Sequence, residues 1–296
     1  MSRALVLSGG GSVGIAWQSG LVVGLKRAGV ELSEADFIVG TSAGSAVGAQ
    51  LASGVDLEER LQRYSRDSES DSRGSGGSGG GAAMAENLAR LMTVMAGVDD
   101  HETEEAGRAA IGKFALEAQA LPEDRFVAGF SELADKAWPD RYACTAVDAE
   151  TGEFVVWDAA AGAPLDRAVA SSCAVPGIFE PITINGRRYI DGGMRSGTNA
   201  DLAAGHDVVV LLTLMDPERM RTVSPERAAR YLKRIERELD VLTSGGATVE
   251  MIAPNDAAAA VMGFNLMDAS LAPAAAEAGL RQASSVADRV GSVWGG

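Results

Sequence analysis

Near its N-terminus the chain twice runs from a short apolar segment through a glycine-bracketed turn into small residues with helical spacing. The apolar segments are residues 3–8 and 37–39, and the helical patterns after them cover residues 14–28 and 45–53. A strand–helix–strand–helix order with connections this short is typical of parallel strands joined by crossover helices. This feature places the chain in the α/β class.

The length of 296 residues fits one large α/β domain, 1–296, and an arrangement in two lobes is the alternative. Residues 83–138 are mostly helical in pattern, and a helical extension is predicted from about residue 255 onwards. The other predicted elements are a hairpin at 142–147 and 154–157, helices at 164–172, 224–242 and 273–290, and strands at 187–190, 208–214 and 248–252.

One segment, residues 68–82, differs in composition from everything around it. From Ser72 to Gly81 every residue is glycine or serine except Arg73, which is the composition of a flexible coil. The segment resembles a laboratory linker inserted in place of a natural loop, and a native disordered loop is the alternative. Either interpretation predicts a flexible stretch that says nothing about the fold.

The charge balance excludes some classes of partner. The chain has 26 basic and 41 acidic residues, a formal net charge of −15. A nucleic-acid partner is not expected, because phosphate backbones require an excess of lysine and arginine. Tight docking on anionic lipid is also disfavoured, whereas transient contact of an apolar surface with a membrane or micelle stays open.

Cysteine usage and the hydrophobic pattern indicate the compartment. Cys144 and Cys173 are the only cysteines, too few for a disulfide framework and without the spacing of a structural zinc site. Glycines interrupt the apolar N-terminal pattern that a secretory signal would need, and no apolar run reaches the roughly 20 residues that span a bilayer. We expect a soluble, cytoplasmic protein.

The first motif with chemical content is Gly9-Gly10-Gly11-Ser12-Val13-Gly14, placed where a strand turns into a helix. Glycines let the backbone approach a ligand closely, and the amides of a helix N-terminus attract negative charge. The pattern fits a dinucleotide-binding loop or an oxyanion hole. A dinucleotide site also needs an acidic residue at the end of the second strand, where this chain has glycine and threonine.

The second motif, Gly40-Thr41-Ser42-Ala43-Gly44, follows that second strand. Flanking glycines permit the cramped strand-to-helix turn called a nucleophile elbow, which would present Ser42 at a helix N-terminus. A plain turn with a capping serine is the alternative.

A serine nucleophile needs a base, and the two histidines are poorly placed to supply one. His101 lies in an acidic run and His206 precedes a strand, so a Ser–His–Asp triad is not predicted. Asp191-Gly192-Gly193 instead follows the predicted strand 187–190, which puts a carboxylate where open α/β sheets carry their sites. A turn aspartate without catalytic work is the alternative interpretation.

Taken together and in this order, the three motifs resemble those of the patatin-like phospholipases, which are serine acyl hydrolases. The segment 170–181, which precedes the Asp-Gly-Gly element, is also similar to bacterial members, and the resemblance covers about residues 3–214 without the Gly/Ser stretch. The family usually carries a basic residue in its glycine-rich element where this chain has Val13, a difference that bears on contacts with phosphate.

The resemblance implies a three-layer sandwich with a central, mostly parallel sheet flanked by helices. It also implies a Ser–Asp dyad with Ser42 as nucleophile and Asp191 as base, and catalysis without a metal or cofactor. The expected activity is hydrolysis of lipid esters through an acyl-enzyme, with the amides of Gly10, Gly11 and Ser12 binding the oxyanion. A nucleotide-binding oxidoreductase and a catalytically silent regulatory protein of the same fold are the alternatives.

Overall fold

The computed structural model describes residues 1–62, 81–214 and 225–295, so the predicted flexible stretch lies, up to residue 80, outside the described residues. The strands are β1 (Arg3–Leu7), β2 (Phe37–Gly40), β3 (Tyr142–Asp148), β4 (Phe154–Trp157), β5 (Ile182–Ile184), β6 (Arg187–Asp191), β7 (Val208–Leu212) and β8 (Thr248–Ile252).

The helices are α1 (Gly11–Arg27), α2 (Ala43–Ala52), α3 (Gly81–Ala96), α4 (Glu104–Glu117), α5 (Glu123–Val127), α6 (Leu165–Ser172), α7 (Pro225–Ser244), α8 (Asp256–Met262) and α9 (Ala272–Trp294), and residues 57–62 are also helical. No helix among the described residues combines the length and apolar character needed to cross a membrane.

The chain forms two compact units. The first holds the described residues up to 62 and from 196 onwards, and its strands run in the order β2-β1-β7-β8, all parallel. Leu7 pairs with both Gly40 and Leu212, so β1, β2 and β7 end level with one another. Strand β7 is fully buried, and β1 and β2 are buried except at their first residues, as is typical of the centre of a parallel sheet covered on both faces. The aligned ends of these three strands place the first two sequence motifs along one edge.

The second unit holds the described residues from 81 to 195, and its named strands pair antiparallel in the order β4-β3-β6-β5. The hairpin of β3 and β4 pairs as predicted. Leu91 of α3 is buried with Ile111, Phe114 and Ile190 in the core of this unit. With parallel strands in one unit, antiparallel strands in the other and helices flanking both, the fold is mixed α/β, as expected.

Two predicted helix starts were wrong, and one strand was missed. Helix α1 begins at Gly11 rather than Gly14, and α2 begins at Ala43 rather than Ser45. In both cases the last residues of the motif already form the first turn of the helix that follows. Strand β5 was missed because it has only three residues, too few to show an alternating pattern.

Helix α9 packs closely along α1 through glycines. A Cβ atom at Gly20 would lie 2.0 Å from the carbonyl oxygen of Ala276, and one at Gly279 would lie 2.2 Å from that of Trp17. The Trp17 indole also donates a hydrogen bond to the Gln282 amide oxygen, at 3.2 Å. The C-terminal helix is therefore an integral support of α1, the helix that begins in the glycine-rich motif.

Candidate active site

Ser42 lies in a strained turn between β2 and α2. Its backbone adopts φ 52° and ψ −123°, a region that residues with a side chain rarely occupy. The Ser42 carbonyl accepts hydrogen bonds from the backbone amide of Ser45 at 2.8 Å and from its hydroxyl at 2.6 Å. This is the geometry of a nucleophile elbow, with the side chain 8% exposed.

The glycines on either side of Ser42 are required by backbone contacts. A Cβ atom at Gly40 would lie 2.4 Å from the Cα of Ser45, and one at Gly44 would lie 2.0 Å from the carbonyl oxygen of Leu7. Neither contact can be relieved by turning a side chain, because the opposing atoms are backbone. The elbow therefore fits against the end of β1 only because both positions lack a side chain.

The glycine-rich motif lies directly beside this elbow. Gly10 ends the loop and Gly11, at φ 59°, begins helix α1. A Cβ atom at Gly9 would lie 3.3 Å from the Cβ and 3.9 Å from the Oγ of Ser42, and one at Gly14 would lie 3.5 Å from the Cβ of Ala43. The structure thus brings the first two sequence motifs together within the first unit.

The backbone amides of this motif divide into used and open donors. Gly9 N–H donates to the carbonyl of Gly197 at 2.8 Å, and Val13 N–H donates to that of Leu266 at 3.1 Å. No described residue accepts a hydrogen bond from the amides of Gly10, Gly11 or Ser12. Three consecutive open donors at the N-terminus of a long helix can bind a developing oxyanion.

A segment that sequence reasoning missed, residues 196–200, holds both motifs. Buried Asn199 adopts a left-handed conformation, φ 48° and ψ 38°, and its Nδ2 donates to Thr41 Oγ1 and to the Ser196 carbonyl, each at 2.9 Å. The Gly197 carbonyl binds Gly9, as described above. The residue before the nucleophile and the first residue of the loop are therefore tied to the same five-residue stretch.

Four further hydrogen bonds, to two acceptor groups, stabilise this arrangement. The Ser8 carbonyl accepts from the amide of Gly44 at 3.1 Å and from Gln18 Nε2 at 3.0 Å. The carboxylate of buried Glu238 on α7 accepts from the amide of Ala200 at 3.0 Å and from the Thr198 hydroxyl. Single polar residues far apart in the chain gave no sequence pattern by which these partners could have been found.

Asp191, the predicted base, belongs to the second unit, where it ends β6. Its side chain is 2% exposed, and its Oδ1 accepts a hydrogen bond from the amide of Gly193 at 2.7 Å. A Cβ atom at Gly192 would lie 2.2 Å from Thr145 Oγ1 and 2.5 Å from the Thr145 carbonyl oxygen. Within this unit the Asp-Gly-Gly element is a tight turn that fixes a buried carboxylate.

Neither histidine has the setting of a general base in its own unit. The His206 ring stacks on Phe37 with centroids 5.4 Å apart, and Phe37 begins β2 whereas Ser42 follows its end. His101 is exposed in the segment before α4. Among the described residues no cluster of three or more His, Cys, Asp or Glu side chains could hold a metal ion.

A buried parallel sheet that ends in a serine elbow beside a loop of open amides defines an α/β protein of the nucleophile-elbow class. The patatin-like phospholipase model matches residues 5–204, well over half of the sequence, and the chain therefore belongs to this family. Residues 205–296, which include α8 and α9, lie beyond the matched part.

Relatives and a solved structure are similar to the chain over most of its length. NTE family proteins from Mycobacterium bovis and Mycobacterium tuberculosis are each 25% identical to it over 248 residues, which is 81% of this chain and 57% of each relative. The chain thus spans little more than half the length of these curated relatives. The crystal structure of VipD from Legionella pneumophila covers 97% of this chain and 67% of its own, with 14% identity and a TM-score of 0.45.

Proposed function

We propose that this protein is a lipid acyl hydrolase that cleaves carboxylic esters through a Ser42–Asp191 dyad and an acyl-enzyme intermediate. The observation that carries the proposal is the strained Ser42 turn, φ 52° and ψ −123°, beside the open amides of the glycine-rich loop. Membership of the patatin-like phospholipase family supports the same activity.

In the first step Ser42 Oγ attacks the ester carbonyl while Asp191 accepts its proton and passes it to the leaving alcohol. The carbonyl oxygen becomes negatively charged and is bound by the amides of Gly10, Gly11 and Ser12. In the second step Asp191 takes a proton from water, which attacks the acyl-enzyme carbonyl, and returns that proton to Ser42 Oγ as the ester bond breaks and the acid is released. One oxyanion donor is typically worth about 10² to 10³ in rate, so three amides supply much of the catalysis.

The glycines have distinct roles in this proposal. Gly40 and Gly44 allow the elbow around Ser42, with Thr41 and Ala43 as its other members, while Gly9 and Gly14 let the loop lie against it. Gly192 and Gly193 shape the turn that holds the base. Asp191 lies only six residues before Gly197 in the sequence, and the Gly197 carbonyl accepts a hydrogen bond from Gly9 of the glycine-rich loop.

The substrate we propose is a lipid or simpler ester, met at transient contacts with a membrane or micelle. The net charge of −15 favours neutral or zwitterionic lipid over anionic lipid. Serine and aspartate provide both nucleophile and base, so the reaction needs no metal or cofactor. We place the activity in the cytoplasm, with residues 1–296 acting as one patatin-like domain and without a nucleic-acid partner.

The decisive experiment compares Ser42→Ala and Asp191→Asn with two controls on the exposed face of α9, Ser284→Ala and Asp288→Asn. We expect both site variants to lose hydrolysis of a p-nitrophenyl acyl ester by at least about a thousandfold, while the controls keep wild-type rates. Circular dichroism checks that every variant is folded. Full activity in either site variant would refute the dyad.

Two further readouts separate the alternative functions. A fluorophosphonate probe should label wild-type protein at Ser42 and leave Ser42→Ala unlabelled; a catalytically silent protein would not react. A titration with NAD(P)H should give no saturable change in fluorescence, because β2 ends at Gly40 and is followed by Thr41 and Ser42, without an acidic residue to bind the ribose. Saturable binding would favour the oxidoreductase.

A further inference from the structure

The loop between α8 and α9 closes against the glycine-rich motif. The Leu266 carbonyl accepts from Val13 N–H at 3.1 Å and from Ser12 Oγ at 3.4 Å. A Cβ atom placed on Gly11 would lie 2.4 Å from this carbonyl oxygen and 2.8 Å from the Sδ of Met267. The thioether of Met267 therefore lies against Gly11, the residue that carries one of the three open amides.

Local hydrogen bonds give this loop a defined shape. The Asn265 side chain accepts from the amide of Met267 at 3.2 Å, and its carbonyl accepts from the amide of Asp268 at 3.1 Å. Asp268 Oδ1 in turn accepts from the amide of Ser270 at 3.1 Å. Met267 thus follows an anchored carbonyl and precedes an anchored turn, which fixes its backbone beside Gly11.

Resting on the proposed function, we propose that Met267 is a specificity-determining residue that limits how much bulk an ester carries next to its reacting carbonyl. A carbonyl oxygen bound by the Gly11 amide lies about 2.9 Å from that nitrogen. The substituents of that carbonyl must then pass close to the Met267 side chain. Met267 is partly exposed, as a residue that meets a substrate must be.

The Leu266 carbonyl contributes to the same selection. Because it accepts the Val13 amide, the open donors are confined to Gly10, Gly11 and Ser12. One of these open donors is the amide of Gly11, the residue that Met267 borders. A flexible thioether can adapt its conformation to a straight acyl group. A branch on the carbon next to the carbonyl would instead collide with it.

The test compares kcat/KM for p-nitrophenyl butyrate and p-nitrophenyl 2,2-dimethylbutyrate, which share a leaving group and a chain length. Met267→Ala should raise the branched-to-straight ratio by about tenfold, the range set by one or two methyl groups in an apolar pocket. Met267→Phe should lower the ratio, and Met267→Leu, similar in volume, should keep it. Phe264→Ala is the matched control, since Phe264 is in the same loop but 76% exposed.

The outcomes separate the inference from the function on which it rests. If wild-type protein hydrolyses the esters and Ser42→Ala does not, the proposed function stands and the ratio decides the role of Met267. An unchanged ratio in both Met267→Ala and Met267→Phe, or an equal change in Phe264→Ala, would overturn the inference alone. A wild-type protein that hydrolyses neither ester would overturn both.

Discussion

The turns that carry Ser42 and Asp191 both hold a polar side chain at the end of a strand, but their backbone conformations differ. Each follows the end of a strand, holds a nearly buried polar side chain and requires a glycine close by. Ser42 has the strained backbone φ 52° and ψ −123°, whereas Asp191 has the relaxed values φ −49° and ψ 129°. The backbone of the serine is therefore held in a conformation that it disfavours, whereas the backbone of the aspartate has a conformation that it favours.

The partners of the two turns explain the difference. The elbow is held from outside, by Gly44 N–H on the Ser8 carbonyl and by Asn199 on Thr41, residues distant in sequence. The Asp191 carboxylate accepts from the Gly193 amide of its own turn, while the Asp191 amide donates to the carbonyl of Ala174 at 3.0 Å. We infer that placing the nucleophile depends on side-chain contacts with residues distant in sequence, while the carboxylate is oriented in part by the amide of its own turn.

The largest expected effect comes from the two glycines after Asp191. At Gly192 an added Cβ meets Thr145 backbone and side chain, so Gly192→Ala should lower the free energy of unfolding by about 3 kcal/mol. At Gly193 the Cβ would lie 2.9 Å from Asp191 Oδ1, which can rotate away. Gly193→Ala should therefore reduce kcat about a hundredfold, as a displaced catalytic group does, with stability changed by less than about 1 kcal/mol.

Urea unfolding and ester hydrolysis measured on the same two preparations test this pair. The two variants control for each other, because each adds one methyl group and the two positions are adjacent in the chain. A Gly193→Ala protein with wild-type kcat would show that the carboxylate is not held by a local turn that matters for the reaction.

The second effect concerns the outside support of the elbow. Asn199→Ala removes the hydrogen bond to Thr41 and should lower kcat about tenfold while leaving KM nearly unchanged, because Asn199 positions the elbow from behind. Asn185 is the matched control: it has the same left-handed backbone, φ 51°, but is exposed in the turn between β5 and β6. Asn185→Ala should cost about 1 kcal/mol of stability and no activity.

Steady-state kinetics on both asparagine variants decide the point. If Asn185→Ala and Asn199→Ala lose equal stability and neither loses activity, the contact with Thr41 has no positioning role. The elbow would then be held sufficiently by the Gly44 amide on Ser8 and by the glycine contacts.

This division between local and distant support also explains what the sequence could reveal. The strands β1 and β2, their turns and the Asp-Gly-Gly element are written in consecutive residues, so short patterns predicted them. The contacts of Gly197, Asn199 and Leu266 join positions about 160 to 250 residues apart in the chain. Nothing in the local composition of residues 196–199 or 263–268 distinguishes them from ordinary turns, and their role appears only when the chain is folded.

The smallest expected effect, on stability, tests most directly whether the backbone is strained at Ser42 and relaxed at Asp191. Replacing Ser42 by glycine removes the Cβ that opposes φ 52°, whereas alanine keeps it, so Ser42→Gly should be more stable than Ser42→Ala by about 1 kcal/mol. At Asp191 the order should reverse, because φ −49° suits alanine and glycine only increases the conformational entropy of the unfolded chain. Asp191→Gly should therefore be less stable than Asp191→Ala by about 0.5 to 1 kcal/mol.

All four variants lack a proposed catalytic group, so thermal or urea unfolding compares them without interference from substrate. Using the alanine variant as the reference at each site cancels the loss of the polar side chain and leaves the backbone preference alone. Equal signs at the two sites would mean that the strain is not carried by the Ser42 residue itself. Opposite signs would establish that the chain gives up stability at the serine and not at the aspartate, as expected where a nucleophile must be presented at a turn that its own backbone disfavours.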